Sequence, residues 1–503
     1  MAAMSEIFQS LALGFSVAAS LSNLWYCFLG ALIGTLIGVL PGIGPIATMA
    51  MLLPLTYYLQ PTEALIMLAG IYYGAQYGGS TTAVLMRLPG ESSSVVTCLD
   101  GYAMARKGRA GTALATAALA SFFAGTVVTL LIAVASPALT ELAQKFGPAE
   151  YFSLMALGLV AAVVFAQGSP LRAVGAILLG LLLGLIGADV NTGFDRFTFD
   201  RPELRDGIGV VVVSMGLFGI AEIMLNLSGG PEDQGERTKL SRLWLTKEDF
   251  RAAWPATLRG TGIGALLGIL PGGGAMLGSF ASYAVEKRIS NTPERFGEGA
   301  IEGVAGPEAA NNAGAQSSFI PMLALGIPGN SVMAMMAGAM LIHGIAPSPN
   351  LASTQPQLFW GLIASMWFGN LMLLVINLPL IGLWVKLLAA PYRMLFPAIL
   401  LFCCIGIYTV NNSAFEVGLV ALFGLLGVVL AKLECPLAPL VLAFILGPMM
   451  EENLRRAMLL SRGDPAIFLS RPISLGLLIA CALVVALLLM PNFRRAREAA
   501  TEA

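Results

Sequence analysis

Small polar side chains occur at two points of the chain, each shortly before a Pro-Gly pair. Ser-Thr-Thr at 80–82 precedes Leu-Pro-Gly-Glu-Ser at 88–92, and Ser-Ser at 317–318 precedes Ile-Pro-Gly-Asn-Ser at 327–331. Hydroxyls, amides and backbone N–H groups freed at a helix break are suitable donors for a carboxylate, and the positive end of a helix adds to the attraction. The pattern predicts a site for a carboxylate anion, although small polar residues also occur where membrane helices pack together.

A more polar run, Pro-Glu-Ala-Ala-Asn-Asn at 307–312, precedes the second of these points. Three strongly polar side chains within five residues are costly in hydrocarbon, so an ionisable group there indicates a function if the run lies in a membrane. The alternative is an aqueous loop, because Glu294, Arg295, Glu298 and Glu302 lie just upstream.

Arg87 stands at the end of an apolar run, beside the first Pro-Gly pair. Its guanidinium suits a bidentate contact with a substrate carboxylate and, equally, an anchoring position at the membrane surface. The residues that we predict to contact the substrate are Gly42, Ser80, Thr81, Thr82, Arg87, Pro89, Gly90, Gly272, Asn311, Asn312, Ser317, Ser318, Pro328, Gly329 and Asn330.

These residues follow a duplicated motif, GALIGTLIGVLPGIG at 30–44 and GTGIGALLGILPGGG at 260–274. The two copies align at an offset of 230 residues (271 minus 41), whereas the second Pro-Gly pairs are 239 apart (328 minus 89). Small residues at every fourth position let membrane helices approach closely, and a Pro-Gly pair then breaks each helix. Broken helices at corresponding positions of two halves indicate the substrate site of a secondary transporter, near the middle of the membrane.

The carbonyl groups freed at the two breaks are oxygen ligands that suit sodium. We therefore predict a coupling ion near the backbone of Pro41, Gly42, Pro271 and Gly272, with sodium favoured over protons, and we expect no other cofactor. Six scattered cysteines and the single histidine, His343, provide no framework for zinc.

Composition gives the class of protein. The 503 residues are 57% hydrophobic and only 11% charged, where a soluble chain carries roughly a quarter charged residues. The mean hydropathy is +0.80, and the net charge of −1 offers no basic surface for a nucleic acid. At about 20 residues per span, we predict an all-α polytopic integral membrane protein with about ten to thirteen transmembrane segments, two inverted repeats and broken or re-entrant helices.

The distribution of Lys and Arg orients the chain, because cytoplasmic loops carry an excess of both. We predict a first membrane half with repeat 1 (1–228), a cytoplasmic linker (229–254) and a second membrane half with repeat 2 (255–503). If residues 80–100 form a re-entrant hairpin, an odd number of spans separates the first motif copy from the linker, and the two repeats are inverted. Residues 5–20 are only moderately apolar and are expected to lie along the membrane interface.

Motifs of other function classes are missing from the sequence. It contains no Gly-x-x-x-x-Gly-Lys-Ser/Thr phosphate loop, no Gly-x-Ser-x-Gly and no His-Glu-x-x-His. We therefore predict that the chain is not an enzyme. A membrane-embedded enzyme and a passive anion channel remain the alternatives to a carrier.

Several long motifs, over about residues 20 to 450, resemble the large membrane subunit of the tripartite tricarboxylate transporters. They include YYGAQYGGSTTAVLMRLPGE, CLDGYAMARKGRAG, GPAEYF, RFTFD, GVAGPEAANNAGAQSSFIPMLALGIPGN and GLIASMWFGNLMLLVINLPL. The resemblance implies a permease of the bacterial inner membrane that imports a carboxylate, driven by a sodium or proton gradient without ATP. It also implies two partners, a small membrane subunit and a periplasmic substrate-binding protein.

The same resemblance places the family's glycine-proline motifs on 40–42 and 270–272 and its amide-rich signature on 307–312. Many members carry Asn where this chain has Arg87, and for this reason citrate is not assumed as the substrate.

Overall fold

The computed structural model describes most of the chain: residues 2–40, 45–87, 89–143, 145–166, 169–189, 192–228, 243–270, 274–348, 350–387 and 412–489, with a few residues within 397–408. Helices make up 81% of it. The strands within these ranges are Gly187–Ala188 (β1) and Asp195–Arg196 (β2), which pair in an antiparallel manner.

The helices follow one another with short connections. Those of the first half are α1 (Ala2–Ala18), α2 (Leu21–Val39), α3 (Pro45–Thr56), α4 (Pro61–Met86), α5 (Val95–Met104), α6 (Ala110–Ala143), α7 (Pro148–Phe165), α8 (Pro170–Gly184), α9 (Val210–Ser214) and α10 (Ala221–Ser228). Those of the second half are α11 (Lys247–Gly268), α12 (Gly274–Ile289), α13 (Glu302–Ser317), α14 (Phe319–Leu325), α15 (Ser331–Ile342), α16 (Leu351–Thr354), α17 (Pro356–Asn377), α18 (Ile381–Leu387), α19 (Ala414–Lys432), α20 (Leu437–Leu460), α21 (Ile467–Ser470) and α22 (Pro472–Leu489).

Short π-helical segments, Ala105–Arg109 and Met215–Ile220, join α5 to α6 and α9 to α10. Turns of 3₁₀ helix occur at Ser92–Ser94, Pro202–Leu204 and Pro293–Arg295.

Five helical segments within the described ranges are long and apolar enough to cross a membrane: Leu21–Val39, Val95–Leu139, Pro356–Asn377, Ala414–Lys432 and Leu437–Leu460. Shorter apolar helices are Ile7–Ala18, Pro45–Thr56, Pro148–Val164, Pro170–Gly184, Val210–Leu225, Ser331–Ile342 and Pro472–Ala486. The prediction of an all-α, multi-pass membrane protein is confirmed by this composition of helices. The number of spans, the three-part division of the chain and the inversion of the repeats stay predictions.

Glycine-lined backbone contacts pack α2 against α4. A methyl group added at Gly30, Gly34 or Gly38 would overlap the carbonyl oxygen of Met67, Ile71 or Ala75, respectively. Such contact requires residues without a side chain, because any Cβ would push the two backbones apart.

The motif at 260–274 makes the same contacts in the second half. Added methyl groups at Gly260, Gly264 and Gly268 would overlap the carbonyl oxygens of Gly306, Ala310 and Gly314 on α13. Each of these acceptors lies 239 residues after its counterpart on α4 (306 minus 67). The offset of 239, which the sequence showed only at the Pro-Gly pairs, therefore holds along the whole of these helices.

The backbone angles repeat at the same offset. Arg87 ends α4 in the left-handed region (φ 59°), and Gly326 ends α14 in the same region (φ 73°). Glu91 and Asn330 are both extended, with φ of −152° and −149°. Thus α4 corresponds to α13 and α14 together, and the two copies share one local structure.

The nine residues that distinguish the offsets lie between the last turn of α12 and the start of α13, mostly in the loop that joins the two helices. This loop contacts the first half through Asp100 on α5, whose carboxylate accepts N–H groups from Gly297 (2.9 Å), Gly299 (2.7 Å) and Ala300 (2.7 Å). The Tyr283 hydroxyl donates to the same carboxylate at 2.9 Å. The loop that contains the additional residues is thus hydrogen-bonded to the first copy.

Two details differ from the sequence-based predictions, and the packing of α1 adds a third that they did not include. The run at 80–82 lies inside α4, which continues to Met86. The hydroxyls of Ser80 and Thr82 donate to carbonyl groups of α4 itself, and the glycines of α4 fit against α2. Helix α11 begins at Lys247, within the predicted linker, where Thr246 caps it. Helix α1 packs on α17, since a methyl group at Gly14 would overlap the Trp360 carbonyl.

The aqueous-loop alternative for residues 307–312 is also wrong. Every residue of α13 from Gly303 to Ser317 is buried, and every residue of α4 from Ala64 to Leu85 is buried as well. These two helices carry small and polar residues into the centre of the protein, where they are covered by other helices instead of lipid.

We predict that Gly264→Ala destabilises the protein, whereas Gly262→Ala on the same helix does not. The new methyl group would meet the Ala310 backbone in the first variant and open space in the second. Overpacking costs about 1–3 kcal/mol or more, while replacing an exposed helical glycine gains up to about 1 kcal/mol. The stability of the two variants in detergent is compared by thermal unfolding, with size-exclusion chromatography as the readout. Equal stability of the two variants would contradict the packing described above.

Candidate functional site

A cavity of about 410 Å³ lies where the two copies of the repeat face each other. The first copy contributes the start of α3, Tyr72 and Gln76 on α4, and Glu91 and Ser93. The second copy contributes the first residues of α12 and α15, and α7, α10, α20 and the segment between α9 and α10 complete the wall. This volume is in the range that holds a small-molecule ligand.

Four helices begin at the wall of this cavity. The lining includes the first residues of α3 (Pro45–Ala47), α12 (Gly274–Met276), α15 (Ser331, Val332) and α20 (Leu437–Pro439). The first N–H groups of a helix have no partner within it, and its N-terminus carries roughly half a positive charge. Since no Lys or Arg is among the described residues that line the cavity, attraction for an anion comes from these helix ends.

Glu91 and Asn330 occupy corresponding positions in the cavity wall. Glu91 Oε1 accepts hydrogen bonds from Ser93 (2.6 Å) and from the amide of Asn311 (3.0 Å). Asn330 caps α15, since its Oδ1 accepts the N–H of Met333 at 2.9 Å. Its Nδ2 lies beside Gly274, at the start of α12.

A second polar cluster lies deeper, around Glu308 on α13. Its carboxylate is fully buried and accepts from Ser80 (2.7 Å) and Thr97 (2.5 Å), with Ser121 at 3.5 Å. Asn312 donates to Ser121 at 2.6 Å. Among the residues that the structure describes, none that contacts this carboxylate is basic, so it is held by hydroxyl groups alone.

The structure places the described members of the predicted site in four environments: the cavity wall, the Glu308 cluster, the buried packing around them, and the exposed surface. Asn330 lines the cavity, and Asn311 reaches it through Glu91. Ser80 and Asn312 belong to the Glu308 cluster, and Ser80 and Thr81 also line a separate cavity of about 10 Å³. Thr82, Gly90, Ser317, Ser318, Pro328 and Gly329 are buried in the packing around these groups, whereas Arg87 and Pro89 are exposed.

Two of these packing roles are specific. The Thr82 hydroxyl donates to the Val39 carbonyl at 2.9 Å and so ties α4 to the end of α2. A methyl group at Gly90 would overlap the Gly38 carbonyl. The predicted contacts at Pro41, Gly42, Pro271 and Gly272, including the proposed sodium position, lie outside the described residues.

Sequence reasoning missed several residues of the cavity wall: Tyr72, Gln76, Glu91, Ser93, Glu222 and the segment 436–439. Glu91 had a detectable signal, because Pro-Gly-Glu-Ser aligns with Pro-Gly-Asn-Ser at the offset of 239. The segment 436–439 had none, since it belongs to neither copy of the repeat.

Apolar helices around buried polar groups and a central cavity define a multi-pass membrane transport protein. The model of the tripartite tricarboxylate transporter TctA family matches residues 24–442. The chain belongs to this family, the large subunit of tripartite tricarboxylate transporters.

Two relatives come from Agrobacterium vitis. The chain is 56% identical over 495 residues to an uncharacterized 52.8 kDa protein in the TAR-I ttuC′ 3′ region. The matched residues cover 98% of this chain and 99% of that relative. The chain is 57% identical over 235 residues to an uncharacterized protein in the TAR-II ttuC′ 3′ region, covering 47% of this chain and 97% of that relative. No solved structure matches the chain.

We predict that Asn330→Ser weakens binding of a carboxylate while Arg87→Ala does not. Serine keeps the cap of α15 but removes the amide N–H from the cavity wall, and a hydrogen bond to a charged group is worth about 1.5–3 kcal/mol, or roughly a tenfold change or more in affinity. Arg87 is exposed and lies outside the lining. Apparent KM values for uptake at matched expression test both variants. A larger loss of apparent affinity with Arg87→Ala than with Asn330→Ser would show that the site lies at the exposed end of α4.

Proposed function

We propose that this chain is the permease of a tripartite uptake system for a tricarboxylate or a related organic acid, and that an ion gradient drives the import. The observation that carries the proposal is the cavity between the two copies of the repeat, whose described lining includes four helix N-termini and no Lys or Arg. Helix ends attract a carboxylate without a fixed cation, so the anion is both bound and released readily.

The size and the arrangement of the cavity favour a substrate with more than one carboxylate. The starts of α3 and α12 belong to different copies, so two groups of N–H donors come from two sides. One carboxylate of the substrate is expected at each group, and the aliphatic wall formed by Ala162, Leu437 and Leu442 suits the carbon skeleton between them.

The proposed system has two partners and works in the bacterial inner membrane. A small membrane subunit assembles with the chain, and a periplasmic binding protein captures the substrate and delivers it. Family membership supports both partners. A cavity that relies on helix ends and neutral side chains binds weakly, which gives the binding protein a physical role.

We predict that uptake into proteoliposomes containing this chain and both partners depends on a sodium or proton gradient and needs no ATP. A panel of radiolabelled di- and tricarboxylates provides the substrates, and accumulation against a concentration gradient is the measurement. Uptake that persists after both gradients are collapsed but requires ATP would contradict the proposal. Equilibration without accumulation would identify a passive anion channel instead.

We also predict that the chain alone transports poorly. Adding the small subunit and the binding protein should raise the uptake rate at low substrate concentration, because capture no longer depends on the weak site of the permease. The comparison uses the same proteoliposomes with and without each partner. Full-rate, high-affinity uptake by the purified chain alone would show that no partner is needed.

A further inference from the structure

Glu91 places a carboxylate in the wall of a cavity that is proposed to bind anions. Two like charges about 6 Å apart, in surroundings of effective dielectric about 20, repel each other by the equivalent of about a 100-fold change in affinity. Among the residues that the structure describes, the cavity wall offers no Lys or Arg to neutralise Glu91, and Glu222 adds a second carboxylate to it. An anionic substrate therefore binds well only when the charge of Glu91 is removed.

The hydrogen bonds around Glu91 accommodate the charged carboxylate and also the neutral acid. The Ser93 hydroxyl lies 2.6 Å from Glu91 Oε1 and 3.2 Å from Gln76 Oε1, and its single hydrogen serves one acceptor at a time. When Glu91 is ionised, Ser93 donates to it. When Glu91 is protonated, the acid donates to Ser93, and Ser93 donates to Gln76.

Asn311 provides a second group that suits both states. Its Nδ2 donates to Glu91 at 3.0 Å, while its Oδ1 is buried without a hydrogen-bond partner, in a side chain that is only 1% exposed. Turning the amide over would present Oδ1 to Glu91 and give the single proton of the neutral acid an acceptor alternative to Ser93. The amide of Asn311 is therefore matched to a group that gains and loses a proton.

We propose that Glu91 carries the coupling proton of transport, an inference that rests on the proposed function. The carboxylate takes up one proton when the substrate anion enters the cavity and returns that proton to water when the substrate leaves on the other side. No covalent bond other than the O–H bond forms or breaks. Because binding free energies are reciprocal, the anion raises the proton affinity of Glu91 by the same factor by which the proton raises the affinity for the anion.

The neighbours of Glu91 favour a proton over sodium. Among the described residues, Tyr72 on α4, Glu222 on α10 and Glu308 on α13 are titratable groups near Glu91, and none of them supplies a positive charge. In the orientation that the structure shows, the Asn311 amide directs an N–H group at the carboxylate, so its oxygen is no ligand for a cation there, whereas the Ser93 hydroxyl can serve either protonation state of Glu91. The two breaks on which the sodium prediction depended lie outside the described residues.

The experiment uses the complete transporter, with both partners, in proteoliposomes. Radiolabelled citrate, succinate and malate are the probes, and a pH-sensitive dye records protons taken up as substrate binds. The wild-type protein should take up one proton per bound anion and lose about tenfold in apparent affinity per pH unit above its transition. In Glu91→Gln, the pH dependence of exchange should become flat and accumulation driven by a proton gradient should be lost.

Matched variants keep the outcome interpretable. Glu203→Gln, at an exposed position after β2, should behave as the wild-type protein does. Glu91→Asn introduces the residue found at the corresponding position of the second copy and replaces Glu91→Gln if the latter does not fold.

Proton-driven accumulation by Glu91→Gln, or wild-type binding without proton uptake, would overturn the assignment of Glu91. Wild-type uptake driven by sodium at constant pH without proton uptake would overturn it as well. In each of these cases transport itself still occurs, so the proposed function stands. If the wild-type protein exchanges none of the probes, the proposed function fails first and this inference fails with it.

Discussion

Direct contact between helix backbones is the constraint on which the rest of this structure depends. In each of α2 and α11, three glycines spaced four residues apart lie against carbonyl groups of the neighbouring helix. Within a membrane no hydrophobic effect drives helices together, so close packing of small residues must hold them. Together with the packing of other helices, these contacts leave α4 buried from Ala64 to Leu85 and α13 buried from Gly303 to Ser317, and only buried helices can carry Gln76 or Glu308 at membrane depth.

The two copies of the repeat share this packing but differ in chemistry. The left-handed end of α4 is Arg87, where the second copy has Gly326, and the cavity wall has Glu91 opposite Asn330. Because of the duplication, two sets of helices with the same local structure line one cavity. The charged member of the second pair makes the site sensitive to protons, a property that two identical copies with Asn would lack.

The nine residues gained in the second copy contribute to a contact that joins the second copy to the first. They form part of the loop whose N–H groups enclose the carboxylate of Asp100. The first copy has no comparable loop, since only residues 57–60 separate α3 from α4. The contact joins α5 to the start of α13, the helix that carries Glu308. It therefore helps to fix the position of α13 relative to the first copy, and with it the position of both polar clusters.

The sequence by itself determined the class of protein, the duplicated glycine pattern and the two Pro-Gly breaks, because composition and spacing follow directly from hydrocarbon and from close helix packing. It also named Asn330, which lines the cavity, and Asn311, which donates to Glu91 in the cavity wall. It did not decide whether residues 307–312 lie in water or in a helix, since their polarity suits both. Only the tertiary structure decided this, by burying α13 beneath α6, α11 and α12 and by bringing Ser80, Thr97 and Ser121, distant in sequence, to the carboxylate of Glu308.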